Sequence, residues 1–285
     1  MTTAQPAPYS HSIVDAGIDW ITATQAPGDD AWLFEQQAEA MLAEQREKGG
    51  SLSRATLRDY TGWRGESLFV GTRDEDSIIV ASADVAARHW KTVAQTARNV
   101  SRLDLQVSVW THGEQPQLAR YAYSKLKRLP PKRGRPRSFT LIRTHPYGET
   151  LNVGKRQSDA YGRVYDWATA HKAAEAATIW RYEVEFKRAY ALGHARALSS
   201  NDDPRTEVSH LVHRWFSSRG VEPTWASSGT RLSNGQALKA PATDALAWFR
   251  TSLSKTIAKQ IKLHGLDAVL DALGLTSMVV SKRRR

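Results

Sequence analysis

The chain of 285 residues is long enough to bury a sizeable core, in one large domain or two small ones. Its 41% hydrophobic and 24% charged residues are ordinary for a globular protein, but a formal net charge of +11 is not. That surplus points to an anionic partner, nucleic acid ahead of a membrane surface or an acidic protein. The absence of cysteine excludes disulfides, cysteine-ligated metal centres and thiol catalysis. No apolar run is long enough to span a bilayer, and the opening MTTAQPAPYSHS lacks the basic start and apolar core of a signal peptide, so a cytoplasmic protein is expected.

In chain order, residues 1–12 read as a flexible arm and GIDWITAT (17–24) as the first strand. Asp29 or Asp30 can cap a helix that runs to about residue 48 and stops at Gly49-Gly50. Two apolar triplets, Leu68-Phe69-Val70 and Ile78-Ile79-Val80, flank Gly71-Thr72-Arg73-Asp74 and predict a strand–turn–strand. A second helix, opened by Asp84 and ending near Arg98, leads into a strand over residues 101–110. In that strand Arg102, Asp104, Gln106 and Ser108 alternate with Leu103, Leu105, Val107 and Val109, which sends the polar and apolar sets to opposite faces of a sheet.

A helix over residues 115–126 then precedes KLKRLPPKRGRPRS, whose prolines and Gly134 forbid a regular helix. Lys132, Arg133, Arg135 and Arg137 make this an exposed basic loop suited to nucleic-acid phosphates, the plainer alternative being a solvated linker. Residues 139–143 and 149–153 form a hairpin around His145-Pro146-Tyr147-Gly148. Next come an Arg-x-Tyr-Asp segment (Arg163, Tyr165, Asp166) and a strand in which Arg181, Glu183, Glu185 and Lys187 alternate with Trp180, Tyr182, Val184 and Phe186. If this strand and that of Asp104 share a sheet, the three carboxylates Asp104, Glu183 and Glu185 share its outer face, the two glutamates ~7 Å apart. A solvated polar face is the competing reading.

Beyond residue 188 the pattern is helical, with candidates at 189–198, 204–217, 243–264 and 267–273 before a basic tail. The fold class expected is α+β: a central antiparallel sheet packed by helices, with a helical C-terminal region.

His210 and His213 lack a third ligand nearby and read as packing or surface residues. No phosphate-cradling Gly-x-x-x-x-Gly-Lys loop and no Gly-x-Ser-x-Gly elbow is present. A bound metal would therefore rest on carboxylates, which favours Mg²⁺ or Mn²⁺ over zinc.

The ordered set RLDLQV (102–107), LNVGKRQSDAYGRVYD (151–166) and WRYEVEFKR (180–188) resembles the rolling-circle replication initiators of the Rep-trans type, found on small plasmids and filamentous phages. GIDWITAT and ALAWFRTSLSKTIAKQI (245–261) resemble the phage-type members, so the likeness spans most of the chain. The resemblance implies a metal-dependent enzyme that nicks and rejoins single-stranded origin DNA through a phosphotyrosine intermediate. By the same token Tyr165 is the nucleophile, with Tyr161 as the other candidate. Asp104, Glu183 and Glu185 would hold Mg²⁺ or Mn²⁺, and on charge alone Arg163, Arg181 and Lys187 are placed to stabilise the transition state. Residues 13–200 would be the nicking and joining domain and 201–285 a helical region with a basic tail. The implied partners are single-stranded and duplex origin DNA, a host helicase and polymerase, and, in a homodimer, a second copy of the chain. The sequence departs from the pattern after Asp166: Trp167 stands where a lysine is usual and Ala170 where a glutamate is usual, with His171, Lys172 or Glu175 as substitutes. That departure supports the rival reading, a non-catalytic DNA-binding regulator that retains the initiator fold. A general basic RNA- or DNA-binding protein is a third.

Overall fold

Ten strands form one antiparallel sheet in the computed structural model, which describes residues 11–28, 31–111, 118–131, 137–144, 148–170, 179–223 and 225. The helices expected at 243–264 and 267–273 with the basic tail, the arm up to residue 10, the loop cations Lys132, Arg133 and Arg135, and His171, Lys172 and Glu175 lie outside the described residues. In chain order the elements are β1 (His11–Gln25), α1 (Ala31–Glu47), β2 (Ser53–Leu57), β3 (Tyr60–Arg64), β4 (Leu68–Arg73), β5 (Asp76–Ser82), α2 (Ala83–Thr96), β6 (Asn99–Thr111) and α3 (Leu118–Arg128). They continue with β7 (Phe139–Thr144), β8 (Gly148–Val153), β9 (Ala160–Asp166), α4 (Trp167–Ala170), β10 (Ile179–Lys187), α5 (Arg188–Ser199) and α6 (Pro204–Ser217). The sheet order is β2-β3-β4-β5-β1-β6-β10-β9-β8-β7. The α+β class expected from the pattern is the class observed.

Alternation decides what each face of the central strands meets. Leu103, Leu105, Val107 and Val109 of β6 and Trp180, Tyr182, Val184 and Phe186 of β10 are all buried in the main core. Helices α2, α5 and α6 pack over this side of the middle strands, α3 over β7–β9, and α1 over β4. Helix α6 is built as its sequence demands: Asp203 accepts a hydrogen bond from the Thr206 backbone N–H at 3.1 Å, and Pro204 occupies the first turn, where its missing N–H costs nothing. Its Trp215 and Phe216 rings press on β9 at Gly162, where an added Cβ would lie 2.3 Å from Trp215 Cζ3. Gly162→Ala is therefore expected to lower the thermal unfolding midpoint, an overpacking cost of about 1–3 kcal/mol, and a melt unchanged from wild type would refute that contact.

Two expectations need correcting. Gly71 was placed in a turn by its neighbours, but β4 runs on through Arg73 and the turn is Asp74-Glu75, with Asp74 at φ 53°. β2 and β3 have no counterpart in the sequence reading: their short polar runs, SRATL and YTGWR, show no apolar alternation. They extend the sheet and cover a small second core of Tyr60, Phe69, Ile78 and Val80 on the face away from the helices. Strand β1 is longer than expected, pairing with β6 over most of its length but with β5 only from Trp20 onward. Among the described residues the first half of β1 thus has one edge without a strand partner, where Arg205 of α6 donates to the Val14 carbonyl at 2.8 Å.

Candidate active site

On the face away from the helices, three neighbouring strands bring the predicted residues into one grid. The β6–β10 register sets Glu185 opposite Asp104, Glu183 opposite Gln106 and Arg181 opposite Ser108. The β10–β9 register sets Glu185 opposite Tyr161, Glu183 opposite Arg163 and Arg181 opposite Tyr165. Directly opposed side chains on one face lie within contact range, so the alternation of β6, β9 and β10 produces the cluster once the register is fixed.

Every acid in the grid meets a base. Arg102 grips Asp104 with two bonds, Nε to Oδ1 at 2.9 Å and Nη2 to Oδ2 at 2.5 Å, and its Nη2 also lies 3.4 Å from Glu185 Oε2. Lys187 Nζ is 2.7 Å from Glu185 Oε1. Arg163 donates to Glu183 Oε1, while the Tyr165 hydroxyl donates to the other oxygen of the same carboxylate at 3.3 Å. Arg181 donates from Nε to Ser108 Oγ at 3.1 Å and from Nη1 to Asp19 Oδ1 at 3.3 Å, and its guanidinium stands 5.2 Å from the centroid of the Trp167 ring. Asp104, Glu183 and Glu185 are buried, whereas the tyrosine and the three arginines are only partly so. Four carboxylates and four cations leave the cluster formally neutral.

Asp19 is the member that sequence reading missed. The β1–β6 register shifts between Ile18 and Trp20, and this irregularity turns Asp19 toward Arg181. Its signal was an aspartate inside an otherwise β-rich run, GIDW. Trp167, in the place where the resemblance expects lysine, lies against Arg181, so this position contributes a ring face to the cluster. Asp166 lies off the grid and caps α4, accepting from the Thr169 backbone N–H at 3.0 Å and from its hydroxyl at 2.6 Å. Arg137 is placed away from the cluster and ties the chain to itself, donating to the carbonyls of Pro130 at 3.1 Å and Arg219 at 3.0 Å.

A cleft of about 670 Å³ opens beside Tyr165, Trp167, Arg181 and Asp19 and passes round the open edge of β1 toward the start of α2. Tyr161, by contrast, is only 8% exposed and faces Glu185, whose oxygens are taken by Lys187 and Arg102. Among the described residues, no group of three or more histidine, aspartate or glutamate side chains is arranged to hold a metal ion as it stands. The donor chemistry nevertheless suits a hard cation: three carboxylates on adjacent strands facing one side, each at present balanced by a basic side chain. Among the described residues no helix is long and apolar enough to cross a membrane.

No family model and no curated protein matches the sequence. Among solved structures, the chain is similar to the rolling circle replication initiator protein from Geobacillus stearothermophilus, with a TM-score of 0.52 and 17% sequence identity over 70% of this chain and 84% of that one. What the two share is the fold.

The electrostatics of the cluster follow from its burial. Loss of water pushes the Tyr165 phenol well above its ordinary range, and Glu183 pushes it further, with Arg181 and Arg163 pulling the other way. Burial also raises the Asp104 carboxyl to about 7, against the pull of Arg102 and with Glu183 and Glu185 adding to the rise. An acid raised on folding binds a proton that the unfolded chain has lost, so its contribution to stability is largest below 3.8 and falls away as pH rises to about 7. Urea titrations across that window should give a downward slope of up to ~1.4 kcal/mol per pH unit from this proton, and the slope should flatten in Asp104→Asn. Parallel curves for the two proteins would place the proton elsewhere.

Proposed function

We propose that the protein is a rolling-circle replication initiator that nicks and rejoins single-stranded origin DNA through a covalent link to Tyr165. The observation that carries this is one shared carboxylate: Glu183 accepts from Tyr165 on one oxygen and from Arg163 on the other, with Arg181 directly across from the tyrosine. The fold similarity to a replication initiator and the +11 charge of the chain support the same reading.

In this mechanism the Tyr165 oxygen attacks the scissile phosphorus as its proton passes to Glu183. The raised phenol makes a free phenolate scarce, so proton transfer accompanies attack rather than preceding it. The bond to the 3′ oxygen breaks, that oxygen leaves and takes a proton from solvent water to become a hydroxyl, and the 5′ phosphate stays on the tyrosine. Arg163 and Arg181 stabilise the charge that builds on the phosphate oxygens. Asp19 and Ser108 hold the Arg181 guanidinium beside the tyrosine. Because the energy of the broken bond is kept in the phosphotyrosine ester, the 3′ hydroxyl can prime synthesis and later reverse the reaction.

The cluster is formally neutral, so it offers an incoming phosphodiester no net positive charge. Mg²⁺ or Mn²⁺, held by Asp104, Glu183 and Glu185 in place of part of their basic partners, would supply that charge and polarise the phosphate. The second reading, a regulator that binds origin DNA without cutting it, is favoured by Trp167 and Ala170 at the two departures from the expected motif. Incubation with single-stranded oligonucleotides from the element's own intergenic DNA and either metal separates the two. The enzyme yields a slow-migrating protein–DNA adduct on a denaturing gel, and sequence-selective binding with no adduct under any metal leaves the regulator.

A further inference from the structure

The strongest concentration of charge in the sequence falls outside the segments that build the tyrosine cluster. Between Leu118 and Arg137 there are eight lysine and arginine residues and no carboxylate, against a net charge of +11 for the whole protein. The helical part of this stretch is α3, LARYAYSKLKR, which runs two residues past its expected end and takes in the first four residues of the expected basic loop. Its Leu118, Ala119, Ala122 and Leu126 are buried, and the helix packs on β7, β8 and β9. Leu151 and Val153 of β8, on that side, belong to the same core. Arg120 is committed to Glu149 of β8. What remains outward is Tyr121, Ser124, Lys125, Lys127 and Arg128, all exposed, and within this set a stripe of Tyr121, Ser124, Lys125 and Arg128 is spaced three, one and three residues apart, as neighbours on one helix face are.

The lysines on α3 are propped by rings instead of carboxylates. Lys125 Nζ lies 4.9 Å from the Tyr121 centroid and Lys127 Nζ 5.3 Å from that of Tyr123, whose ring meets Phe139 edge-on at 5.5 Å. Among the described residues no carboxylate lies within ion-pair distance of Lys125, Lys127 or Arg128. Cations in a last turn do favour the helix dipole. That effect explains neither the exclusion of acids from twenty consecutive residues nor the polar, aromatic make-up of the stripe. A membrane-surface helix needs an apolar face to insert, and here that face is already used on the sheet.

We propose that the outward stripe of α3 is a docking surface for duplex DNA, distinct from the single-strand cleavage site; the choice of DNA rests on the function proposed above. At 11 residues the helix is ~16 Å long and, with side chains, ~10–12 Å across, a width that a major groove ~12 Å wide admits. Lys125 and Arg128 supply phosphate or base-edge contacts, and Tyr121 and Ser124 add hydroxyl donors. The stripe lies on the helix-bearing side of β7–β9, whereas Tyr165 lies on the other. Duplex holding and strand cleavage therefore use opposite sides of the same strands and are separable by mutation.

The test is a Lys125→Gln/Arg128→Gln double variant, with its circular-dichroism melt compared to wild type as a folding control. Affinity for a labelled random-sequence duplex oligonucleotide is measured across a salt series, alongside duplex RNA of the same sequence. The log–log slope on duplex DNA should flatten by ~0.9 for each phosphate that the variant no longer neutralises, while adduct formation on single-stranded origin DNA stays at the wild-type rate. An unchanged duplex slope overturns the proposal, as does an equal loss on duplex RNA. If wild-type protein forms no adduct, the nicking mechanism fails, and the duplex arm still scores α3 by itself.

Discussion

Tyr165→Phe is expected to abolish the covalent adduct with single-stranded origin DNA, a fall of more than ~10⁴-fold in nicking of the kind seen when a nucleophile is removed. The substitution deletes one oxygen whose hydrogen bond to Glu183 is 3.3 Å long, so the loss of stability should be about 1 kcal/mol or less. Tyr161→Phe should keep the adduct. Tyr161 shares the face and lies four residues earlier, but it is nearly buried, and the glutamate across from it already has both oxygens engaged. Tyr165 borders the cleft and faces a carboxylate oxygen that, among the described residues, no other group approaches within hydrogen-bonding distance. Mapping the adduct by peptide mass after nuclease digestion decides between them. An adduct that persists in Tyr165→Phe and disappears in Tyr161→Phe would reverse the assignment and leave the nicking chemistry intact.

The sequence pattern carried the sheet's centre because period-two alternation is a local property that survives folding. Trp180, Tyr182, Val184 and Phe186 had to share one face, and Arg181, Glu183, Glu185 and Lys187 the other, whatever their neighbours. Register is not local, so the pairing of Glu185 with Asp104 could be stated only as a condition. The members that escaped depend on non-local or irregular geometry. Asp19 reaches Arg181 through a slip in the β1–β6 pairing that no side-chain pattern announces. Arg137 looked like one more phosphate-seeking cation, yet its partners are backbone carbonyls, one of them 82 residues away in sequence. The pairing of Arg102 with Asp104 was in principle legible, since residues two apart in a strand share a face. It bears directly on the metal: the acids are not a bare anionic pocket but one balanced by the protein's own bases.

Glu183→Gln should bring metal-dependent nicking down nearly as far as loss of the tyrosine, because three roles meet on that one carboxylate. It accepts hydrogen bonds from Tyr165 and Arg163, and in the proposed mechanism it would receive the tyrosine proton and be one of the three acids holding Mg²⁺ or Mn²⁺. Glutamine keeps the shape, so the grid persists, but it cannot take up the proton and donates poorly matched N–H groups toward Arg163. Stability should fall by about 1.5–3 kcal/mol, the range for a hydrogen bond to a charged group, and Arg163, being a third exposed, can regain water. Duplex binding should stay near wild type because α3 is untouched. Glu185→Gln serves as the comparison, since Glu185 answers mainly to Lys187 and Arg102 and touches no hydroxyl nucleophile. It should weaken the response to metal concentration more than the maximal rate, whereas Glu183→Gln should depress the rate at saturating metal. Nicking of supercoiled origin plasmid, followed across a Mg²⁺ and a Mn²⁺ titration for both variants, reads the difference. Recovery of the full rate by Glu183→Gln at high metal would reduce Glu183 to a ligand and remove it as the proton acceptor.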